Sequence, residues 1–158
     1  MRAGLLIILS LSLFLPANAQ SLNSINAEEL SNILGTKNDT VYVVNFWATW
    51  CSPCVAEIGF FEDLHRTYTE NTVKVILINL DFPDKAETRV LNFLVEKEIT
   101  ATVYNMTDLD YNKWIPMVSA DWSGAIPATL IFNSREKVLF ERAISKAELF
   151  AEVRKLTQ

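Results

Sequence analysis

The chain contains two cysteines, Cys51 and Cys54, separated by Ser52–Pro53. Two sulfurs three positions apart can form a disulfide with each other and exchange it with a second dithiol. As a structural staple the pair would do little, because the stabilisation expected from closing a loop grows with its length. The spacing therefore favours chemistry. Cys51 would sit where a strand turns into a helix, and free N–H groups and the helix dipole at such an end favour a thiolate over a thiol. Cys54 lies one turn further in, on the same face. Cys51 is thus expected to attack first and form a mixed disulfide with a partner, which Cys54 then resolves. Two other uses of the pair are open. A zinc site normally takes four ligands, and His65 is the chain's one histidine. It would stand about 21 Å away along a continuous helix. An inert pair buried at a helix end is the remaining alternative.

The elements needed to position the cysteines are legible around them. Val41–Trp47 is a nearly continuous apolar, β-rich run, as expected of a strand buried on both faces. A helix is predicted from Cys51 or Ser52 to about Tyr68, with Pro53 tolerated in its first turn. Val73–Leu80 reads as a second buried strand, so strand, helix and strand imply a right-handed βαβ unit. Upstream, Asn26 and Glu29 form a capping-box pattern for a helix to Leu34 that Gly35 can end. Downstream, a helix is predicted over 84–98 with Asp84 and Glu87 as capping partners, then a short strand at 102–105 and a short helix at 108–115. Ala128–Phe132 and Val138–Glu141 read as a hairpin. Ser145, with Glu148 three positions on, caps a last helix to about Leu156. The order predicts an α/β layer architecture with a mixed central sheet flanked by helices.

The 158 residues suit one domain after an export signal. Met1 and Arg2 precede an apolar run, Leu5–Leu15, broken by Pro16 and followed by Ala17–Asn18–Ala19, the layout of a secretory signal peptide cut after Ala19. The run is short of the roughly 20 residues of a membrane span. Residues 20–158 are read as the mature domain. Loss of Arg2 moves the formal charge from −5 to −6, and no basic cluster is present, which argues against nucleic acid as a partner. Export predicts a periplasmic or otherwise oxidising location, where a disulfide persists. No cofactor or metal is implied, and a monomer is expected.

Val44–Asn45–Phe46–Trp47–Ala48–Thr49–Trp50–Cys51–Ser52–Pro53–Cys54–Val55–Ala56–Glu57 resembles the active-site segment of the TlpA/ResA-like thioredoxins. Gly124–Ala125–Ile126–Pro127–Ala128–Thr129–Leu130–Ile131–Phe132 resembles their cis-proline loop and following strand. The resemblance implies a thioredoxin-like fold in which the segment around 84–105 is a helix–strand insertion. It implies a cis Pro127 facing Cys51, with the Ile126 backbone free to pair with an extended substrate. Glu57 stands where the family places a carboxylate near the disulfide, able to exchange a proton with Cys54. Asn45 replaces the buried aspartate of thioredoxins proper. Gly59 departs from the family's usual proline and leaves the course of the helix beyond Ile58 open. Trp50 and Trp122 are expected to form an apolar platform for a partner, with Trp47 and Trp114 in the core.

The implied activity is thiol-disulfide exchange. Ser52–Pro53 adds no positive charge that would favour an oxidant, so a reductant is expected; the resemblance implies the same, and implies envelope clients such as apocytochrome c. Its partners would be a disulfide-containing client and a membrane thiol donor. The alternatives are an envelope disulfide oxidase or isomerase, and a copper carrier using the same two sulfurs.

Overall fold

The run Val41–Trp47 forms a strand with all seven residues buried. Alternate side chains enter two separate cores. Val41, Val43 and Trp47 point to one face, and Tyr42, Val44 and Phe46 to the other. Such a strand has to be covered by helices on both sides. The computed structural model describes residues 22–69 and 71–158, without the side chains of 83–86, so the export signal expected at 1–19 lies outside the described residues.

The elements follow in the order β1 (Asn23–Ile25), α1 (Ala27–Leu34), β2 (Val41–Trp47), α2 (Ser52–Thr67), β3 (Val73–Asn79), α3 (Pro83–Glu96), β4 (Thr102–Met106), α4 (Tyr111–Val118), β5 (Ala128–Phe132), β6 (Lys137–Phe140) and α5 (Lys146–Leu156). They build one six-stranded sheet in the order β1-β4-β3-β2-β5-β6. β1, β4, β3 and β2 are mutually parallel, and β5 and β6 run antiparallel to their neighbours. The mixed sheet is the one expected. The predicted insertion is also present: α3 leads to β4, which lies between β3 and β1. α1 and α4 supply Leu30 and Trp114 to one core, and α2, α3 and α5 supply Phe61, Leu94 and Leu149 to the other.

Helix starts divide into those set by side chains and those set by proline. Asn26 caps α1 in a full capping box, its Oδ1 accepting from the Glu28 and Glu29 amides while Glu29 accepts from the Asn26 amide. Ser145 accepts from the Glu148 amide at the start of α5, but the Glu148 carboxylate pairs with Arg142 rather than closing the box. Asp84, expected to cap α3 with Glu87 as its partner, lies inside the helix instead of at its cap. α3 begins one residue earlier at Pro83, with Phe82 as its cap and no side-chain cap bond. Proline is already shaped for a first helical position and has no N–H to satisfy.

One strand and several further boundaries differ from expectation. β1 was not foreseen; its three residues are too few to show a period. The helix expected at 108–115 begins at Tyr111, because Asp108 is spent in a turn that receives the Asp110 amide and the Trp114 indole N–H. β6 ends at Phe140 rather than Glu141, whose carboxylate turns toward the loop before β5.

α2 runs unbroken through Gly59, which answers the question that residue raised. Gly59 is exposed, and a Cβ added there would meet nothing within 4 Å. Its replacement by alanine keeps the helix and restricts the unfolded chain. Gly59→Ala is expected to stabilise the fold by about 1 kcal/mol, read as a higher denaturant midpoint at unchanged slope. An unchanged or lower midpoint would contradict a straight, solvent-facing helix at this position.

Candidate functional site

β2 ends at Trp47, and the chain turns through Ala48–Trp50 into α2. The Cys51 amide donates to the Ala48 carbonyl at 3.1 Å, closing the turn. Cys51 is itself the N-cap of α2, in extended conformation, and its Sγ accepts from the Cys54 amide at 3.4 Å. The sulfur thus occupies the place where a serine or aspartate oxygen normally satisfies a free helix N–H. The two cysteines are joined in a disulfide with their Cα atoms 5.3 Å apart. Cys51 retains 6% of its surface and Cys54 none. In the reduced protein the same N–H groups favour negative charge on Cys51.

The antiparallel register Phe46↔Ala128 brings the start of β5 beside the end of β2. The Ile126–Pro127 bond there is cis. Pro127 is buried and Ile126 half-buried. The preceding loop is held from two sides. Glu141 accepts from the Ser123 and Ala125 amides and from the Ser123 hydroxyl, and these bonds, the hydroxyl's first, keep its carboxyl below the usual range. Trp122 donates its indole N–H to the Ala125 carbonyl at 2.9 Å. Gly124 adopts φ +91°, and a Cβ there would come within 2.8 Å of the Ile115 side chain, so the position needs glycine.

The two tryptophans expected to form a platform part company. Trp50 is 60% exposed next to Cys51, whereas Trp122 is 4% exposed. The Trp122 ring lies against Phe46 and Trp114, at centroid distances of 4.6 and 5.7 Å. It supports the proline loop from beneath and offers no docking face. Its indole N–H needed a partner, and the loop carbonyl supplies one only from the inside. The exposed apolar surface is instead completed by Phe82, Tyr111 and Ile115, which the sequence did not single out. Trp50, Phe82, Tyr111, Ile115, Gly124 and Ile126 line a groove of about 370 Å³ with no charged side chain in its walls. Phe82, the cap of α3, stands three residues beyond the end of β3. Crevices beyond the carboxyl ends of parallel strands are where α/β sheets place ligands, and that rule could have pointed to it.

Glu57 lies one turn after Cys54 and is 2% exposed. Its carboxylate accepts from the Ile144 amide at 2.7 Å and from the Asn45 amide group at 3.3 Å. Burial, which penalises the charged form, outweighs these two bonds and pushes the pKa up to about 7. Asn45, wholly buried, also donates toward Thr129 on β5. The carboxylate is therefore tied to the proline-bearing strand through one amide. His65 is half-buried on α2, and no group of metal-binding side chains occurs among the described residues. Nor is any described helix long and apolar enough to cross a membrane.

Residues 16–140 match the AhpC/TSA family, and the chain belongs to it. Among curated relatives, it is 26% identical over 117 residues to the thiol-disulfide oxidoreductase ResA of Bacillus cereus, covering 72% of this chain and 62% of that protein. It is 39% identical over 61 residues to ResA of Oceanobacillus iheyensis, covering 39% of this chain and 30% of the relative. The chain thus spans less than two thirds of the length of these relatives. A solved thiol:disulfide interchange protein of the thioredoxin family from Chlorobium tepidum superposes with a TM-score of 0.64 at 21% identity, covering 90% of this chain and all of the other. The fold is thioredoxin-like.

Glu57 should give the oxidised protein a pH-dependent stability. Its carboxyl ordinarily titrates at 4.5, and in the fold at about 7. Between those values the folded chain keeps a proton that the unfolded chain has lost. Glu57 therefore weakens the fold as pH rises through this window, by up to about 1.4 kcal/mol per pH unit. With the cysteines disulfide-bonded, they add no titration of their own. Unfolding of oxidised wild type and Glu57→Gln between pH 4 and 8 should show this slope in the first and its loss in the second. Parallel curves would mean that Glu57 titrates like a surface carboxyl.

Proposed function

We propose that this protein is an exported thiol-disulfide oxidoreductase that reduces disulfides of envelope proteins. The observation that carries the reading is the Cys51–Cys54 pair at the N-terminus of α2, with Cys51 the more accessible sulfur. The cis Ile126–Pro127 bond at the start of β5 and the names of the ResA relatives support it. The export pattern at 1–19 supports an oxidising location.

The Cys51 thiolate attacks one sulfur of the client disulfide. A mixed disulfide forms, and one client thiolate leaves and takes a proton. Cys54 then attacks Cys51 Sγ, the second client thiol is released, and Cys51–Cys54 becomes the disulfide. Two electrons pass to the client, and a membrane thiol donor returns two to the pair. Glu57, with a pKa of about 7, accepts the Cys54 proton as that thiol attacks. Trp50 and the Ile126 backbone hold an extended client segment against the disulfide, with Pro127 beside Cys51. Clients of the cytochrome c maturation type fit a reductant with no positive charge between its cysteines.

Cys51→Ala should abolish reduction of insulin disulfides, and Cys54→Ala should accumulate mixed disulfides with clients. Trapping by Cys51→Ala but not by Cys54→Ala would reverse the two roles. The potential against glutathione should lie near roughly −270 mV, and a value near roughly −120 mV would make the protein an oxidant instead.

A further inference from the structure

One buried charged side chain near the disulfide has no part in the exchange steps. Asp81 lies just beyond the end of β3 and is 2% exposed. Its carboxylate reaches across to the turn that carries the cysteines. One oxygen accepts from the Thr49 amide at 2.8 Å and the other from the Thr49 hydroxyl at 2.7 Å. Its own position is fixed in turn. Asn79 donates its side-chain amide to Asp81 at 2.8 Å and accepts the Asp81 amide at 3.0 Å. Arg89, on α3, approaches at 3.6 Å. The Leu80 amide continues the pairing by donating to the Trp47 carbonyl at 2.8 Å.

We infer that Asp81 is a positioning residue for the exchange reaction, holding the Thr49–Cys51 turn so that the Cys51 sulfur stays on the N-terminal N–H groups of α2 and Trp50 faces Phe82 across the groove. The inference rests on the proposed exchange activity for its meaning, though its geometry stands apart. Thr49 is two residues before Cys51, and its backbone and side chain are both engaged by a single carboxylate. Within the turn itself, the Cys51-to-Ala48 bond is the other restraint. A thiolate gains from a helix end only within the first turn and at close range, so a looser turn costs that stabilisation directly. The same carboxylate sits one residue before Phe82. It therefore links the two walls of the groove, Trp50 from the β2–α2 turn and Phe82 from the β3–α3 junction. A side chain that only filled the core would not bond both groups of one turn residue.

The test compares wild type with Asp81→Asn, Asp81→Ala and Thr49→Val in the reduced protein. Thr49→Val keeps the backbone donor and removes the hydroxyl. The pH profile of Cys51 alkylation by iodoacetamide and the turnover of insulin are read side by side, with circular dichroism as the check on folding. The alkylation midpoint should move to higher pH in all three variants. Insulin turnover should fall about tenfold in Asp81→Ala, the equivalent of losing one charged hydrogen bond, and less in the other two. Variants that fold and overlay wild type in both profiles would overturn the assignment. So would a lower melting temperature with an unmoved alkylation midpoint, since that is what a purely structural role gives. If Asp81→Ala does not fold, Asp81→Asn and Thr49→Val decide by the same criteria. Wild type that fails to reduce insulin would refute the oxidoreductase reading, while the alkylation midpoints would still test Asp81.

Discussion

The pairing of β2 on both of its edges governs where everything else lies. Seven residues of β2 match seven of β3 in parallel, from Val41↔Val73 to Trp47↔Asn79. Five match β5 in the antiparallel sense, ending at Phe46↔Ala128. The first register delivers Asn79 and Asp81 to the turn that precedes Cys51. The second sets the start of β5, which follows the cis Pro127, beside the end of β2. A slip of one residue in either pairing would turn alternate side chains to the wrong face. β2 admits no such slip, because Tyr42, Val44 and Phe46 fill one core while Val43 and Trp47 fill the other. Each of these side chains contributes roughly 1.5–3 kcal/mol by leaving water. Site geometry and core packing are therefore set by one register.

Two buried carboxylates on α2 show what decides the behaviour of a charge in this interior. For both Glu57 and Glu62 burial is the largest single influence, and it acts to raise the pKa. Glu62 nevertheless ends below the ordinary range. It accepts from the Thr100 hydroxyl, the Thr100 and Ala101 amides and Arg66, and these bonds together overcome burial. In that state it fastens the corner between α3 and β4 to α2. Glu57 has the Ile144 amide and the Asn45 side chain alone, which do not suffice. The difference between a structural anchor and a group able to exchange a proton near neutrality is thus a matter of how many donors the surroundings supply.

What could be read from the sequence follows from how local each signal is. The Cys51–Cys54 spacing, the apolar run of β2 and the Asn26–Glu29 box are carried by adjacent residues, and the structure reproduces them. The cis Pro127 was legible only through family resemblance, since nothing in Ile126–Pro127 by itself distinguishes it from a trans proline opening a strand. The platform role given to Trp122 failed because nearness in sequence to a loop does not say which side of the loop a ring takes. The partnership of Asp81 with Thr49 spans 32 positions. It depends on the pairing of β2 with β3, which the sequence implies only after both strands are recognised. Asp84 had the right type and spacing for a cap, but Pro83 had already fixed the start of α3.

The same strand that organises the site also carries its least satisfied groups. The Asn45 Oδ1 and the Trp47 Nε1 are buried without a hydrogen-bond partner among the described residues. The indoles of Trp114 and Trp122 show that the fold can supply partners, giving them the Asp108 and Ala125 carbonyls. A buried polar group left unpaired costs about 1–3 kcal/mol. At Asn45 the imbalance has a local cause. Its amide group faces three acceptors, Glu57, the Ala128 carbonyl and Thr129, while its own carbonyl receives nothing. An apolar residue there would remove the orphan carbonyl but would also take a donor from a carboxylate that has only one other. Asn45 is therefore better understood from the needs of Glu57 than from the packing of β2. Sequences that violate local rules tend to do so where chemistry requires it, and here the violation lies between the proline strand and the helix that begins at Cys51.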